Sequence, residues 1–147
     1  MNRIRRTAGA VSILATLAAG MTLPTAGLAS ASTSAVKTIV WDYDIHRGDC
    51  TLFHEAKLVL TSDGKARFEG VVTSGDDNDA WLMWLTLKDR DGAVLASVYN
   101  DDPVPGDSTK FVKNLPNHRN RYRWFAYGTF DRGLYPLIKR VGMRASC

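Results

Sequence analysis

From Ile39 onward the chain alternates apolar and polar residues with a period of two, and no stretch repeats with the period of a helix. Ile39, Trp41, Tyr43 and Ile45 share one face of a first strand, with Asp42, Asp44 and His46 on the other. Leu52, Ala56, Leu58 and Leu60 alternate with Phe53, Glu55, Lys57 and Val59, which places His54 on the inward face. After Ser62-Asp63-Gly64 the pattern resumes, Ala66, Phe68, Gly70 and Val72 alternating with Arg67, Glu69 and Val71. A two-residue turn would set Leu60 against Arg67. A three-residue loop with Gly64 left-handed pairs Leu60 with Ala66, Leu58 with Phe68 and Lys57 with Glu69, which matches apolar with apolar and opposite charges with each other. That register is the prediction.

A second hairpin joins Trp81–Lys88 to Ala93–Tyr99 through Asp89-Arg90-Asp91-Gly92, and pairing Leu87 with Val94, Leu85 with Ala96 and Met83 with Val98 gives it one apolar face. Leu82, Trp84, Leu95 and Tyr99 line the other, so this hairpin is central to a sheet or binds something on its second face. Asn100 to Ser108 is a loop on turn chemistry alone. Three more strands follow, 109–115, 121–130 and 137–145. About eight short strands predict an all-β domain over residues 38–147, an antiparallel jelly-roll-like β-sandwich or a small barrel, preceded by a flexible arm over 32–37.

Two cysteines occur, Cys50 and Cys147. In an oxidising compartment they are expected to form one disulfide closing the domain. A loop on the order of 100 residues is worth about 4.7 kcal/mol in the chain-entropy account, an upper figure. That compartment is suggested by the first 31 residues. Arg3, Arg5 and Arg6 precede an apolar run from Ala8 to Ala19, too short to span a bilayer, and Ala29-Ser30-Ala31 is a small-x-small cleavage site. A secreted, extracellular protein is expected, free of the membrane after signal cleavage.

Losing that signal removes three of the nineteen Lys and Arg, leaving sixteen against fifteen acidic residues. A near-neutral protein has no broad electrostatic reason to seek nucleic acid. The charges are segregated along the chain: residues 32–107 carry seven basic and fourteen acidic side chains, residues 108–147 nine basic and one acidic. Either late strands neutralise early ones by pairing, or the surface is bipolar and orients a partner.

Several clusters are candidate sites. Asp76, Asp77 and Asp79 crowd one loop, where carboxylates repel unless neutralised, so Ca²⁺ is the one cofactor they suggest. The run lacks the Gly and distal Glu of the helix-loop-helix calcium pattern, and Asp and Asn are ordinary loop formers. Asp42, Asp44 and His46 are spaced for a metal but also sit where a solvated strand face puts polar residues. Arg119, Arg121 and Arg123 form a guanidinium ladder suited to carboxylates or phosphates, with Asp42 and Asp44 as expected internal partners. Trp81 and Trp84 point to opposite faces of one strand, so one of them is expected outside the core, where beside the acidic loop it suits a sugar ring or a protein contact. No nucleophile elbow, paired-His zinc motif or phosphate loop is present, His46, His54 and His118 have no evident Ser partner, and no catalytic residue is assigned.

The runs Asp76-Asp77-Asn78-Asp79-Ala80-Trp81-Leu82-Met83-Trp84, Tyr122-Arg123-Trp124-Phe125-Ala126 and Gly128-Thr129-Phe130-Asp131, with Cys147, resemble a family of small secreted actinobacterial proteins of unassigned function. The resemblance implies export and a single domain, and brings no ligand residues. The expected function is a non-catalytic binding domain, a protein–protein adaptor or accessory subunit whose partner is another secreted protein. The alternatives are a carbohydrate or cell-wall glycan module using Trp81 or Trp84 with the acidic loop, and a small secreted hydrolase.

Overall fold

A computed structural model describes residues 33–147, so the export signal expected at 1–31 and the first residue of the arm lie outside the described residues. Two antiparallel sheets, each built on one ten-residue strand, account for the architecture. In the larger sheet that strand is β5, with β1 (Val36–Trp41), β2 (Ile45–Arg47), β3 (Cys50–Leu52), β4 (Ala56–Thr61) and β5 (Lys65–Ser74) contributed by the first half of the chain. In the smaller sheet it is β6 (Asp79–Lys88), followed in sequence by β7 (Val94–Ser97), β8 (Tyr99–Asn100), β9 (Phe111–Leu115), β10 (Tyr122–Thr129) and β11 (Arg140–Ser146). The larger sheet runs β1-β4-β5-β10-β8, with β3 also on β5 and β2 on β3; the smaller has β11 along one side of β6, and β7 and β9 sharing the other. The sheets form a sandwich and do not close into a barrel.

The period-two pattern explains the packing. Ala66, Phe68 and Val72 of β5 face Trp81, Met83, Leu85 and Leu87 of β6 in a core from which water is almost wholly excluded, each large side chain contributing about 1.5–3 kcal/mol. Phe68 meets Trp124 edge-on at 5.2 Å between ring centres and Trp41 at 6.2 Å. Gly70 holds an inward position where a Cβ would come within 2.8 Å of Leu52 Cδ1, so only glycine lets the two pack.

The first hairpin has the predicted register, Leu60 opposite Ala66, Leu58 opposite Phe68 and Lys57 opposite Glu69. Gly64 adopts φ +88° at the turn, where a Cβ would also clash with the Phe130 carbonyl at 2.6 Å. The second hairpin departs from its predicted register: Lys88 pairs with Val94 but Leu87 with Ala96, with a bulge between them. The cause lies in the turn. Asp89 Oδ1 accepts the N–H groups of Asp91 and Ala93, tightening the loop so that Val94 points to solvent and Leu95 becomes the extra residue.

Eleven strands replace the expected eight because three expected strands break, the strand expected over 93–99 dividing at Val98 into β7 and β8. The first breaks at Asp42–Asp44, which turns Tyr43 out to solvent while Trp41 and Ile45 stay buried. The second breaks at Phe53–Glu55, where Glu55 takes φ 68°, and His54 therefore lies exposed rather than facing inward. The arm is shorter than expected. Val36 and Lys37 belong to β1, opposite Thr61 and Leu60, and the Lys37 ammonium donates to the Tyr135 and Ile138 carbonyls and lies over the Tyr135 ring. The Cys50–Cys147 disulfide, with Cα atoms 5.7 Å apart, links β3 of the larger sheet to the residue after β11 of the smaller, fastening one layer to the other.

Candidate functional site

The β5–β6 and β9–β10 loops meet at one end of the sandwich, beside the disulfide. Asp77 Oδ1 accepts both the backbone N–H of His118 at 2.8 Å and its Nδ1 at 2.7 Å. Asp79 accepts from Ser74 Oγ and lies 3.8 Å from Cys147 Sγ, while Ser74 Oγ receives the Asp76 N–H. The Asp77 and Asp79 carboxylates thus spend their lone pairs separately. Among the described residues, the group of potential metal ligands that converges is Cys50, Asp79 and Cys147, and its two sulfurs are already bonded to each other. The three carboxylates of Asp76, Asp77 and Asp79 therefore do not converge on one point.

The same Asp–His arrangement recurs elsewhere. Asp44 Oδ1 accepts the His54 N–H at 2.7 Å and Nδ1 at 2.8 Å. In both pairs the backbone N–H first, and the imidazole second, hold the carboxyl below its ordinary pKa. Sequence reasoning left these histidines without partners because it sought a Ser for them, and because Asp77 and His118 lie 41 residues apart. Asp42, Asp44 and His46 do not act together, since Asp44 is committed to His54 and His46 Nδ1 bonds Thr51 Oγ1 at 2.9 Å.

The arginine ladder also divides. Arg123 pairs with Glu69, which Lys57 approaches from the other side at 3.2 Å, so its acidic partner is in β5 and not Asp42 or Asp44. Arg123 first and Lys57 second lower the Glu69 pKa. Arg121 stacks over the Phe53 ring at 4.3 Å, and Arg119 enters a turn through its N–H to Asn117 Oδ1. Pairwise neutralisation of early by late charges is thus the exception: among the described residues, Arg123 is the only Lys or Arg of 108–147 within ion-pair distance of a carboxylate.

The two tryptophans of β6 separate cleanly. Trp81 is fully buried and its indole N–H has no partner, so it is core and no ligand contact. Trp84 lies half-buried on the outer face of the smaller sheet. Its Nε1 donates to Asp107 Oδ2 at 2.9 Å, Arg144 stacks on its ring at 3.9 Å, and Lys110 lies 5.8 Å from the ring centre. Trp84 first, then Thr109, hold the Asp107 carboxyl at about 2. Trp84 is thereby roofed by its own chain.

An open aromatic surface occurs on the other sheet, where the sequence reading placed none. Phe125 and Tyr127 of β10 are 40% and 54% exposed on the outer face of the larger sheet, opposite Glu69 and Arg67 of β5. Val36 and Val40 extend that face across β1, and Tyr99 borders it on β8. Two hollows flank the rings. One, of about 330 Å³, is lined by Val59, Thr61, Lys65, Arg67, Asp101 and Tyr127, and one of about 500 Å³ by Val40, His54, Lys57, Glu69, Val71 and Arg123. Strict alternation in Arg123–Thr129 was the available signal, since Trp124 and Ala126 take the core and leave Phe125 and Tyr127 outside.

Comparison with known proteins bears on this arrangement. Residues 57–147, from β4 to the second cysteine, match a family of unknown function (DUF6294). The chain belongs to that family. The matched segment carries both central strands, the exposed aromatic pair and the roofed Trp84, and leaves out β1–β3 with Cys50. No curated protein and no solved structure matches the chain.

Proposed function

We propose that the chain is a secreted, non-catalytic binding domain that engages another extracellular protein through the outer face of its larger sheet. The observation that carries this reading is the pair Phe125 and Tyr127, exposed two residues apart on one strand and bracketed by Arg67 and Arg123. Aromatic and Arg side chains are the groups that most often dominate protein interfaces, the rings burying a large rigid area at little entropic cost and Arg adding a fork of hydrogen-bond donors. Glu69 holds the Arg123 fork in place, so part of the surface is ordered before a partner arrives. β1 is an edge strand of the same sheet, and its open side accepts a strand from a partner in the manner of β-augmentation.

Capture from culture medium and wall fraction with tagged wild-type protein, read by mass spectrometry, tests the reading. One stoichiometric protein partner, lost with Phe125→Ser/Tyr127→Ser while the melting temperature holds, is the expected result. Capture that the double substitution leaves unchanged, or no protein partner at all, rejects it.

A further inference from the structure

The outer face of the smaller sheet has a composition that its fold does not use. Register places Lys88 of β6 directly opposite Arg140 of β11, and two rows along, Trp84 opposite Arg144, with Lys110 on the far side of the Trp84 ring. The row between them is Thr86 opposite Gly142 on one side and Ser97 on the other. Four cations therefore surround a low floor of two hydroxyl side chains and a glycine. The Lys88 stem lies across that glycine, its Cε 3.1 Å from where a Cβ would stand. Rows on one face of a strand are about 6.8 Å apart, so two cation rows are separated by about twice that.

None of the four is within ion-pair distance of a carboxylate among the described residues. Asp107, the carboxylate beside this face, is taken by Trp84 Nε1 and by the N–H and hydroxyl of Thr109. Arg140 reaches the Asp89–Gly92 turn, its Nη1 4.0 Å from a Cβ built on Gly92, but the Asp89 carboxylate there serves backbone N–H groups. A directly opposed like-charge pair such as Lys88 and Arg140 destabilises a sheet. Its cost is offset when an anion lies between the two.

We infer that this face binds a linear anionic glycan bearing carboxylates on its sugar rings, with Lys88, Arg140, Arg144 and Lys110 neutralising successive charges and Thr86 and Ser97 meeting sugar hydroxyls. Arg140 and Arg144 each offer a guanidinium fork that takes both oxygens of a carboxylate in its plane, and Lys88 and Lys110 each add a point charge. The cations are strung along neighbouring strands, which suits an extended polymer over a compact small molecule. Trp84 is already covered by Arg144, so the face offers no bare ring for the base stacking on which single-stranded nucleic acid relies. It also lacks the exposed aromatic anchors of the other sheet, on which the protein partner proposed above depends. The two surfaces lie on opposite outer faces, so this inference stands or falls independently of that one.

Calorimetric titration of the protein with oligogalacturonate at low salt tests it, with a neutral oligosaccharide of equal length and a single-stranded oligonucleotide of equal charge as comparators. Binding to the uronate, weakening steeply as salt is added and falling about tenfold in Lys88→Gln/Arg140→Gln, is the expected result. Because Arg144 also supports Trp84, that pair is left intact, and Thr86→Val, which removes a hydroxyl without changing charge, serves as the second variant with an expected loss of severalfold. Equal affinity for the neutral glycan, tighter binding of the oligonucleotide, or uronate binding indifferent to both variants would overturn the assignment.

Discussion

On the outer face of the larger sheet Glu69 sits between Lys57 and Arg123, and Phe125 and Tyr127 stand open to solvent. On the outer face of the smaller sheet Trp84 is roofed by Arg144, Lys110 and Asp107, and among the described residues none of the cations around it is within ion-pair distance of a carboxylate. Both faces come from strands with the same alternating pattern and a similar mix of rings and charges. What differs is register. β10 brings Arg123 alongside the one glutamate of β5, whereas β11 brings Arg140 and Arg144 alongside a lysine and a tryptophan of β6. Paired with Glu69, Arg123 lies 4.9 Å over the Phe125 ring and leaves Tyr127 uncovered, whereas Arg144, with no carboxylate in ion-pair reach among the described residues, closes to 3.9 Å on Trp84.

The largest effect that separates the faces is on stability. Trp84→Ala should cost about 2 kcal/mol, since it removes a half-buried ring together with the anchor of the 101–109 loop. Tyr127→Ala should stay within about 0.5 kcal/mol, as an open surface position does. Denaturant unfolding of both variants measures the contrast, and equal costs would break it.

Acid sharpens the same comparison. Asp107 releases its proton more readily in the folded chain, at about 2, than at its ordinary value of 3.8. The stability it contributes is therefore complete above the ordinary carboxylate value and drains away as pH falls from about 4 toward about 2. Trp84→Phe keeps an aromatic ring but deletes the donor that contributes most to that shift, so stability should fall less steeply across that window than in wild type. Glu69, lowered by Arg123 and Lys57, behaves with the same sign. Glu69→Gln should remove its part of the acid dependence with a smaller loss of stability near neutral pH, because both ion pairs are partly exposed. The smallest predicted effect has the opposite sign: Lys88→Gln should raise stability by a few tenths of a kcal/mol by relieving the repulsion from Arg140. A thermal melt at low salt reads it.

The elements legible in the sequence were those whose determinants are local. The Lys57–Glu69 hairpin carries its own turn residues and its own charge pair, so one register satisfied everything within a few residues. The second hairpin had equally good turn residues, but the side chain of Asp89 folded back on the loop and displaced the register, an event that hydrophobic matching does not weigh. Alternation showed that Trp81 and Trp84 face opposite ways, yet which of them is core depends on β9 and β11, which arrive much later in the chain. The Asp44–His54 and Asp77–His118 pairs failed to show for a related reason, since loops and not strand faces bring them together. Summing charge over the two halves of the chain suggested mutual neutralisation, but a sum has no register, and among the described residues only Arg123 of the late Lys and Arg is within ion-pair distance of a carboxylate.

The separation of Trp81 from Trp84 also makes the molecule its own optical reporter. Trp41, Trp81 and Trp124 are buried, leaving Trp84 as the one indole that solutes can approach. Iodide, an anion drawn toward the surrounding Lys and Arg, should quench its emission more efficiently than neutral acrylamide. Whatever settles on that face should shield it, while the three buried indoles keep recording only whether the chain is folded.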